Sequence, residues 1–183
     1  MEIKELTTEE EFDVFINPMR QRILRAMSVE GGPMTAKMLA DRLRITPSSA
    51  KHHLLRLEGI GLVAVHHTET IHGIVATFYG LLPVEVRLGL DKSAFREEKD
   101  AISQNLLMSL YGDFVKRAHE GNPADGHFHG DLRTGALWLT REEADALAET
   151  VTRYVREHEQ PRENALPFEF AALLLEGERH EKR

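Results

Sequence analysis

The sequence contains no cysteine, and none of its apolar runs approaches the length of a membrane span. Without cysteine, the chain has no disulfides, no thiolate metal ligands and no cysteine nucleophile. A span needs about 20 apolar residues, and the opening residues MEIKELTTEEEF are acidic where a secretory signal is basic and then apolar. We therefore expect a cytoplasmic protein that does not contact membranes.

Motifs of common enzyme classes are missing as well. The sequence has no glycine-rich phosphate loop, no nucleophile elbow and no helix-borne metal motif. Its 183 residues, 42% of them hydrophobic and 29% charged, suffice for one folded domain with an appended part. These features favour a binding protein over an enzyme, and we expect no cofactor.

The net charge of −7 is unevenly distributed along the chain. Residues 17–82 carry eight Lys and Arg against four Asp and Glu, so this stretch has a charge of +4 and the remainder −11. A basic segment beside an acidic one is typical of a DNA-binding domain joined to a part that does not bind DNA.

Three helices are predicted in the basic stretch. Asn17, Thr35 and Thr46 are N-cap residues, and a proline follows directly after the first and the third of them. The third helix begins at Pro47 and extends to about Leu57. Few residues separate it from the second helix, so the two must cross at a large angle, as in a helix-turn-helix.

The third helix has one apolar face and one polar face. Ala50, Leu54 and Leu57 recur at i, i+4 and i+7 and are predicted to pack inward. On the outward face, hydroxyl residues near the helix start let backbone donors approach phosphate, and cationic side chains reach base edges or phosphates. The outward and flanking residues are Ser48, Ser49, Lys51, His52, Leu55 and Arg56. Such a helix is typical of DNA reading, although paired helices also occur in proteins that bind no DNA.

Two short runs rich in valine and aromatic residues follow, GLVAVHH and GIVATFYGL, separated by TETIHG. They predict a β-hairpin. Three helices closed by a hairpin form a winged helix, whose wing tip, at about residues 68–73, lies beside the flanking groove of DNA.

Residues 17–82 resemble the DNA-binding domain of ArsR-type winged helix-turn-helix repressors. NPMRQRILRAM is similar to their first core helix, ITPSSAKHHLLRLEGIGLV to their turn, reading helix and following strand, and IHGIVATFYGLLP to their second wing strand. The resemblance implies that Ser48, Ser49, Lys51 and His52 contact DNA, with Arg56 on phosphate. Thr46 of the turn and His72 of the wing tip complete the set of predicted DNA contacts.

The resemblance gives His53 a structural role at the edge of the domain, and two positions depart from the family pattern. Leu55 stands where a basic or polar residue is usual, and the wing tip has Thr70 and His72 where arginines are common. Family members are typically homodimers, and a single short helix reads too few bases for specificity. A twofold dimer places two reading helices about 34–36 Å apart.

A long amphipathic segment after the wing is the predicted dimerisation helix; the alternative is that its apolar stripe packs inside the monomer. Its apolar residues Ile102, Leu106, Leu110 and Phe114 recur every four residues. Further on, Thr140 and Glu143 form a capping box before another helix, and the apolar segment ALPFEFAALLLEG is either helix or strand. In this interpretation the appended part supports the dimer or holds a pocket for a small-molecule effector.

The segment HFHGD raises an alternative. His127, His129 and Asp131 alternate, so on a strand they would share one face and could hold zinc or nickel in a metal sensor or a metal-dependent enzyme. Neighbouring histidines in a polar loop are more commonly solvated, and we assign no metal site. A winged helix that binds protein rather than DNA is the other alternative.

The sequence therefore predicts a mainly α protein with a small β-hairpin wing. Residues 1–90 form a winged-helix DNA-binding domain, and residues 91–183 form the dimerisation helix and an acidic C-terminal region. The predicted function is a homodimeric transcription regulator, a repressor that binds a pseudo-palindromic operator in double-stranded DNA. The operator and any effector are not given by the sequence.

Overall fold

Local capping chemistry sets where the first four helices begin. The computed structural model describes residues 2–71, 73–87, 95–121 and 126–176. Helices α1 (Glu9–Ile16), α2 (Pro18–Glu30), α3 (Ala36–Leu43) and α4 (Pro47–Gly59) follow N-caps whose side chains accept hydrogen bonds from backbone N–H groups of the first turn. These caps are Thr8, Asn17, Thr35 and Thr46. The last three are those predicted from the sequence.

The four helices enclose the core. Phe12 of α1, Ile23 of α2, Leu39 of α3 and Leu54 of α4 are all 0% exposed. The three apolar residues predicted to face inward on α4, including Ala50 and Leu57, are equally buried. This packing fixes the register of α4 and hence the identity of its outward face.

A three-stranded sheet contains the predicted hairpin and a short strand that lies between α2 and α3. Strand β2 (Met34–Thr35) pairs antiparallel with β4 (Ile74–Leu81), which pairs antiparallel with β3 (Val63–Ile71), giving the order β2-β4-β3. Ile71 lies opposite Ile74 at the tip, where Gly73 has φ +78. His72 lies outside the described residues.

A second sheet was not predicted. Strand β1 (Glu2–Glu5) pairs in parallel with β5 (Val84–Arg87), with Ile3 opposite Glu85. Glu11 of α1 anchors the start of the chain, because its carboxylate accepts hydrogen bonds from Lys4 Nζ at 2.8 Å and from the backbone N–H of Thr7 at 3.0 Å. These bonds hold the pKa of Glu11 at about 2, well below its usual 4.5.

Two helices follow, α5 (Arg96–Glu120) and α6 (Arg141–His158). The chain divides into two compact units, residues 1–108 and 109–183, and this division falls within α5. The predicted capping box of α6 is present, with the Glu143 N–H donating to Thr140 Oγ1 at 3.2 Å. The segments 126–140 and 159–176 contain neither helix nor strand, so ALPFEFAALLLE adopts neither predicted structure.

The arrangement confirms the predicted fold class, a winged helix-turn-helix followed by a helical region. In the part of the chain that the structure describes, no helix is both long and apolar enough to cross a membrane.

Candidate nucleic-acid interface

The turn before α4 positions the predicted reading helix. Arg44 ends α3 in the left-handed conformation, with φ 57, and the Ile45 N–H donates to the carbonyl of Ala40 at 3.0 Å. Thr46 Oγ1 then accepts from the Ser49 N–H at 3.2 Å and lies 3.1 Å from Ser48 Oγ. Thr46 and Ser48 therefore form the start of α4, where unpaired backbone donors and the helix dipole favour an anion such as phosphate.

The outward face of α4 carries the predicted contact residues. Ser48, Lys51 and His52 are exposed, and Ser49 is partly buried. Lys51 makes no hydrogen bond or ion pair with the described residues, so its ammonium group is available to a ligand. Leu55, at 48% exposed, places a large apolar side chain on the same face. The first two turns of α4 thus present hydroxyl and cationic groups together.

The end of α4 has a different environment. Arg56 Nη1 lies 3.4 Å from a carboxylate oxygen of Glu10 in α1. Leu55, Arg56 and Gly59 line one side of a shallow cleft whose other side is formed by α1 and the residues before it, including Val14. The N-terminal half of α4 is therefore the freer part of the helix, and Arg56 must exchange Glu10 for phosphate if it contacts DNA.

A buried cation lies behind Arg56. Arg20 is 8% exposed and donates from Nη2 to the Asp13 carbonyl at 2.7 Å and from Nε to the Val14 carbonyl. These bonds attach the end of α1 to α2. Burial lowers the pKa of Arg20, and the nearby Arg56 lowers it further.

His53, between the exposed His52 and the buried Leu54, is itself partly buried. Its Nδ1 is buried and has no hydrogen-bond partner among the described residues. Burial lowers the pKa of His53 below 6.5, and the proximity of Arg20 and of His52 lowers it further. The neutral imidazole is therefore favoured, which fits the structural role that the resemblance implies.

The wing differs from a basic DNA-contacting arm. Between Arg56 and Arg87 the sequence has no Lys or Arg. A β-bulge between Val65 and His67 interrupts the ladder, and the His67 ring stacks on Phe78 with centroids 4.5 Å apart. Near the tip, Ile71, Ile74 and Val75 are 42%, 73% and 66% exposed, and the polar residues Thr68, Glu69 and Thr70 are exposed beside them. The wing therefore has no permanent positive charge to place against phosphate.

The structure does not assemble the histidine segment into a metal centre. His127, His129 and Asp131 lie in an irregular exposed segment, and Asp131 accepts a hydrogen bond from Arg133 Nε at 2.7 Å. That contact lowers the pKa of Asp131. Within the described ranges, no three His, Asp or Glu side chains come together as potential metal ligands.

The predicted dimerisation residues divide between two environments. Ile102 is 1% exposed and belongs to the core cluster that includes Phe12 and Leu54. Leu106 is 41% exposed, whereas Leu110 and Phe114 are partly buried. Ile102 is thus already packed within the single chain.

Two features of the interface could not be found from the sequence. The contact between Glu10 and Arg56 joins residues that are distant along the chain, and no local pattern indicates it. The burial of Arg20 is likewise unexpected, because an arginine in an amphipathic helix is normally assigned to the solvent-facing side.

A comparison with known protein families supports the assignment of a helix-turn-helix. Residues 15–66 match a family described as "Helix-turn-helix domain", a range that covers α2, α3, α4 and the start of β3. A comparison of the sequence with curated proteins finds no match.

Several solved structures share a distant likeness. The YusO protein of Bacillus subtilis is 15% identical, with 81% of this chain and 80% of that chain covered and a TM-score of 0.35. A ZitR mutant of Lactococcus lactis is 13% identical, with 77% and 74% covered and a TM-score of 0.31. The heme sensor protein PefR of Streptococcus agalactiae, in complex with heme, is 14% identical, with 81% and 80% covered and a TM-score of 0.32.

The domain match, together with the winged-helix architecture, supports a DNA-binding transcription regulator and not an enzyme.

Proposed function

We propose that the protein is an ArsR-type repressor that binds a pseudo-palindromic operator as a homodimer through α4. The observation that carries this proposal is the exposed face of α4, where Lys51 and His52 stand beside the capped helix start while the opposite face is fully buried. Burial of that opposite face orients Lys51 and His52 without any ligand. An interface that is preorganised in this way loses less side-chain entropy on binding.

The residues of α4 have different proposed roles. Thr46, Ser48 and Ser49 position the helix start on phosphate, and Lys51 and His52 contact base edges in the major groove. Phosphate contacts set the register of a protein on DNA, whereas base contacts specify the sequence. Arg56 is a phosphate contact that forms after its ion pair with Glu10 opens.

The wing contributes less in this proposal. The polar residues of the tip are Thr68, Glu69, Thr70 and His72, and no Lys or Arg accompanies them in the hairpin. Specificity therefore depends on α4 and on the pairing of two half-sites, which a twofold dimer places one helical turn apart.

A second candidate function is supported by the same wing. Exposed Ile71, Ile74 and Val75 fit an apolar protein surface better than a phosphate backbone, so a winged helix that binds protein is the alternative. Lys51 argues against this alternative, because a lysine without an ion pair on the reading face fits an anionic ligand.

Selection from random DNA distinguishes the two functions. The purified protein is incubated with a pool of random duplexes, and bound DNA is amplified and sequenced over several rounds. A repressor enriches one motif with two related half-sites about 10 base pairs apart. A protein-binding winged helix enriches none.

The base contact of Lys51 is tested by substitution. Lys51→Ala is expected to weaken binding to the selected motif by about 1–3 kcal/mol and to leave binding to unrelated duplexes nearly unchanged. Lys116→Ala is the matched control, because Lys116 is an exposed lysine on α5, outside the winged helix. Equal weakening on every duplex would show that Lys51 contacts only phosphate.

A further inference from the structure

The first turn of α1 is acidic, and one of its glutamates contacts the predicted reading helix. The turn contains Glu9, Glu10 and Glu11. Glu11 holds the start of the chain through Lys4, whereas a carboxylate oxygen of Glu10 lies 3.4 Å from Arg56 Nη1 in α4. Carboxylate and phosphate oxygens are the same kind of acceptor for a guanidinium group. Glu10 therefore holds the cation that the proposed function assigns to a DNA phosphate.

Packing fixes α1 opposite the end of α4. Phe12 and Val14 are 0% and 1% exposed and belong to the core cluster that also contains Leu54 of α4. The Phe12 ring lies against the ring of Phe95, with centroids 4.8 Å apart. The backbone of Glu10 is therefore held in place, and its contact with α4 opens by rotation of side chains and not by movement of α1.

The contact itself is exposed enough to open. The side chain of Glu10 is 72% exposed and that of Arg56 is 44% exposed. An exposed ion pair of this kind is weak and changes an equilibrium constant by a factor of about 2 to 5. Glu10 thus lowers the availability of Arg56 without withholding it from DNA.

A second cation favours this pairing in the DNA-free protein. Arg20 is 8% exposed. Burial lowers the pKa of Arg20, and the proximity of Arg56 lowers it further, because the two guanidinium groups repel each other. The Glu10 carboxylate offsets part of this repulsion when no phosphate is bound.

We propose that Glu10 is a built-in competitor of DNA, which neutralises Arg56 in the free protein and thereby lowers the affinity for every duplex. The inference rests on the proposed function, in which Arg56 contacts phosphate. Phosphate contacts carry no sequence information directly. Glu10 therefore sets how strongly the protein binds DNA and not which operator it selects.

Counterion release gives this competition a measurable signature. Each phosphate that a cation neutralises releases counterions, so the logarithm of the affinity falls with the logarithm of the salt concentration, with a slope of about −0.9 per contact. When Arg56 leaves Glu10 for a phosphate, the freed carboxylate attracts a cation from solution, which cancels part of that release. Removing the carboxylate should therefore make the salt dependence steeper.

Glu10→Gln is the variant that tests the competition. Its affinity for the selected motif and for an unrelated duplex is measured by fluorescence anisotropy between about 50 and 200 mM salt. Glu9→Gln is the matched control, because it removes the same charge from an exposed residue in the same turn of α1. Relative to this control, Glu10→Gln should bind both duplexes about 2- to 5-fold more tightly at low salt, with a slope steeper by up to about 0.9.

A background that lacks the arginine isolates the contact. In Arg56→Gln chains, Glu10→Gln should bind DNA no more tightly than Glu9→Gln, because the group that Glu10 neutralises is gone. Urea denaturation of the same variants separates this role from a structural one. A glutamate that only attached α1 to α4 would lower the urea midpoint when replaced and would not strengthen DNA binding.

Two results would overturn the proposal. One is an equal effect of Glu10→Gln and Glu9→Gln when Arg56 is present, which would mean that only the overall charge of α1 matters. The other is a gain from Glu10→Gln that persists in full in the Arg56→Gln background, which would mean that Glu10 repels DNA directly. Selection of no motif from random DNA would instead refute the proposed function, and the comparison on unrelated duplexes would still test this inference.

Discussion

Neighbouring leucines on α4 provide the sharpest test of the helix register on which the candidate interface depends. Leu54 is 0% exposed and belongs to the core cluster, whereas Leu55 is 48% exposed on the reading face. Leu54→Ala removes buried apolar volume and leaves a cavity. The neighbouring core residues Ala50 and Leu57 are fixed on the same helix, so they cannot move in to fill it. The expected cost is about 3–5 kcal/mol in the free energy of unfolding.

Leu55→Ala makes the same chemical change one residue later and is the matched control. A substitution on an exposed face usually changes stability by less than about 0.5 kcal/mol. In urea denaturation, a loss of 3 kcal/mol lowers the midpoint by about 1–3 M, so the two variants should separate clearly. Equal costs, or a larger cost for Leu55→Ala, would mean that α4 has another register and that the assigned contact residues do not face outward.

Two remaining predictions concern pH. The pKa of Glu11 is about 2 when folded and 4.5 otherwise, so its contribution to stability is present above pH 4.5 and is lost as pH falls towards 2. Urea midpoints of Glu11→Gln and the wild type should therefore differ at pH 7 and converge at low pH; a constant difference would contradict this. Because the pKa of His53 is lowered, the unfolded state takes up its proton first, and stability should fall as pH drops below 6.5. Between pH 7 and 5, the decrease in stability should be smaller for His53→Gln than for His52→Gln. Equal pH profiles of the two variants would refute this prediction.

Local chemistry made the winged helix predictable from the sequence. Asn17, Thr35 and Thr46 cap helices because a side-chain oxygen satisfies the first backbone donors, and this depends only on neighbouring residues. The inward face of α4 followed from a repeat of apolar residues in the same way.

The sequence patterns did not predict features that join residues far apart along the chain. The parallel pairing of β1 with β5 and the contact of Glu10 with Arg56 leave no periodic signal in either segment. The placement of Ile102 in the dimer interface, which followed from its stripe with Leu106, stays a prediction. Ile102 is buried within the single chain, and periodicity gives only the face of a helix and not what covers it.

Sequence-specific DNA binding is measured by fluorescence anisotropy at near-physiological salt. The affinity of the protein for the DNA upstream of its own gene is compared with that for a scrambled duplex of equal length. We expect a preference on the order of 1,000-fold for the upstream DNA, which lies within the range of specific regulators. Equal and weak binding to both duplexes, together with no motif enriched from random DNA, would contradict it.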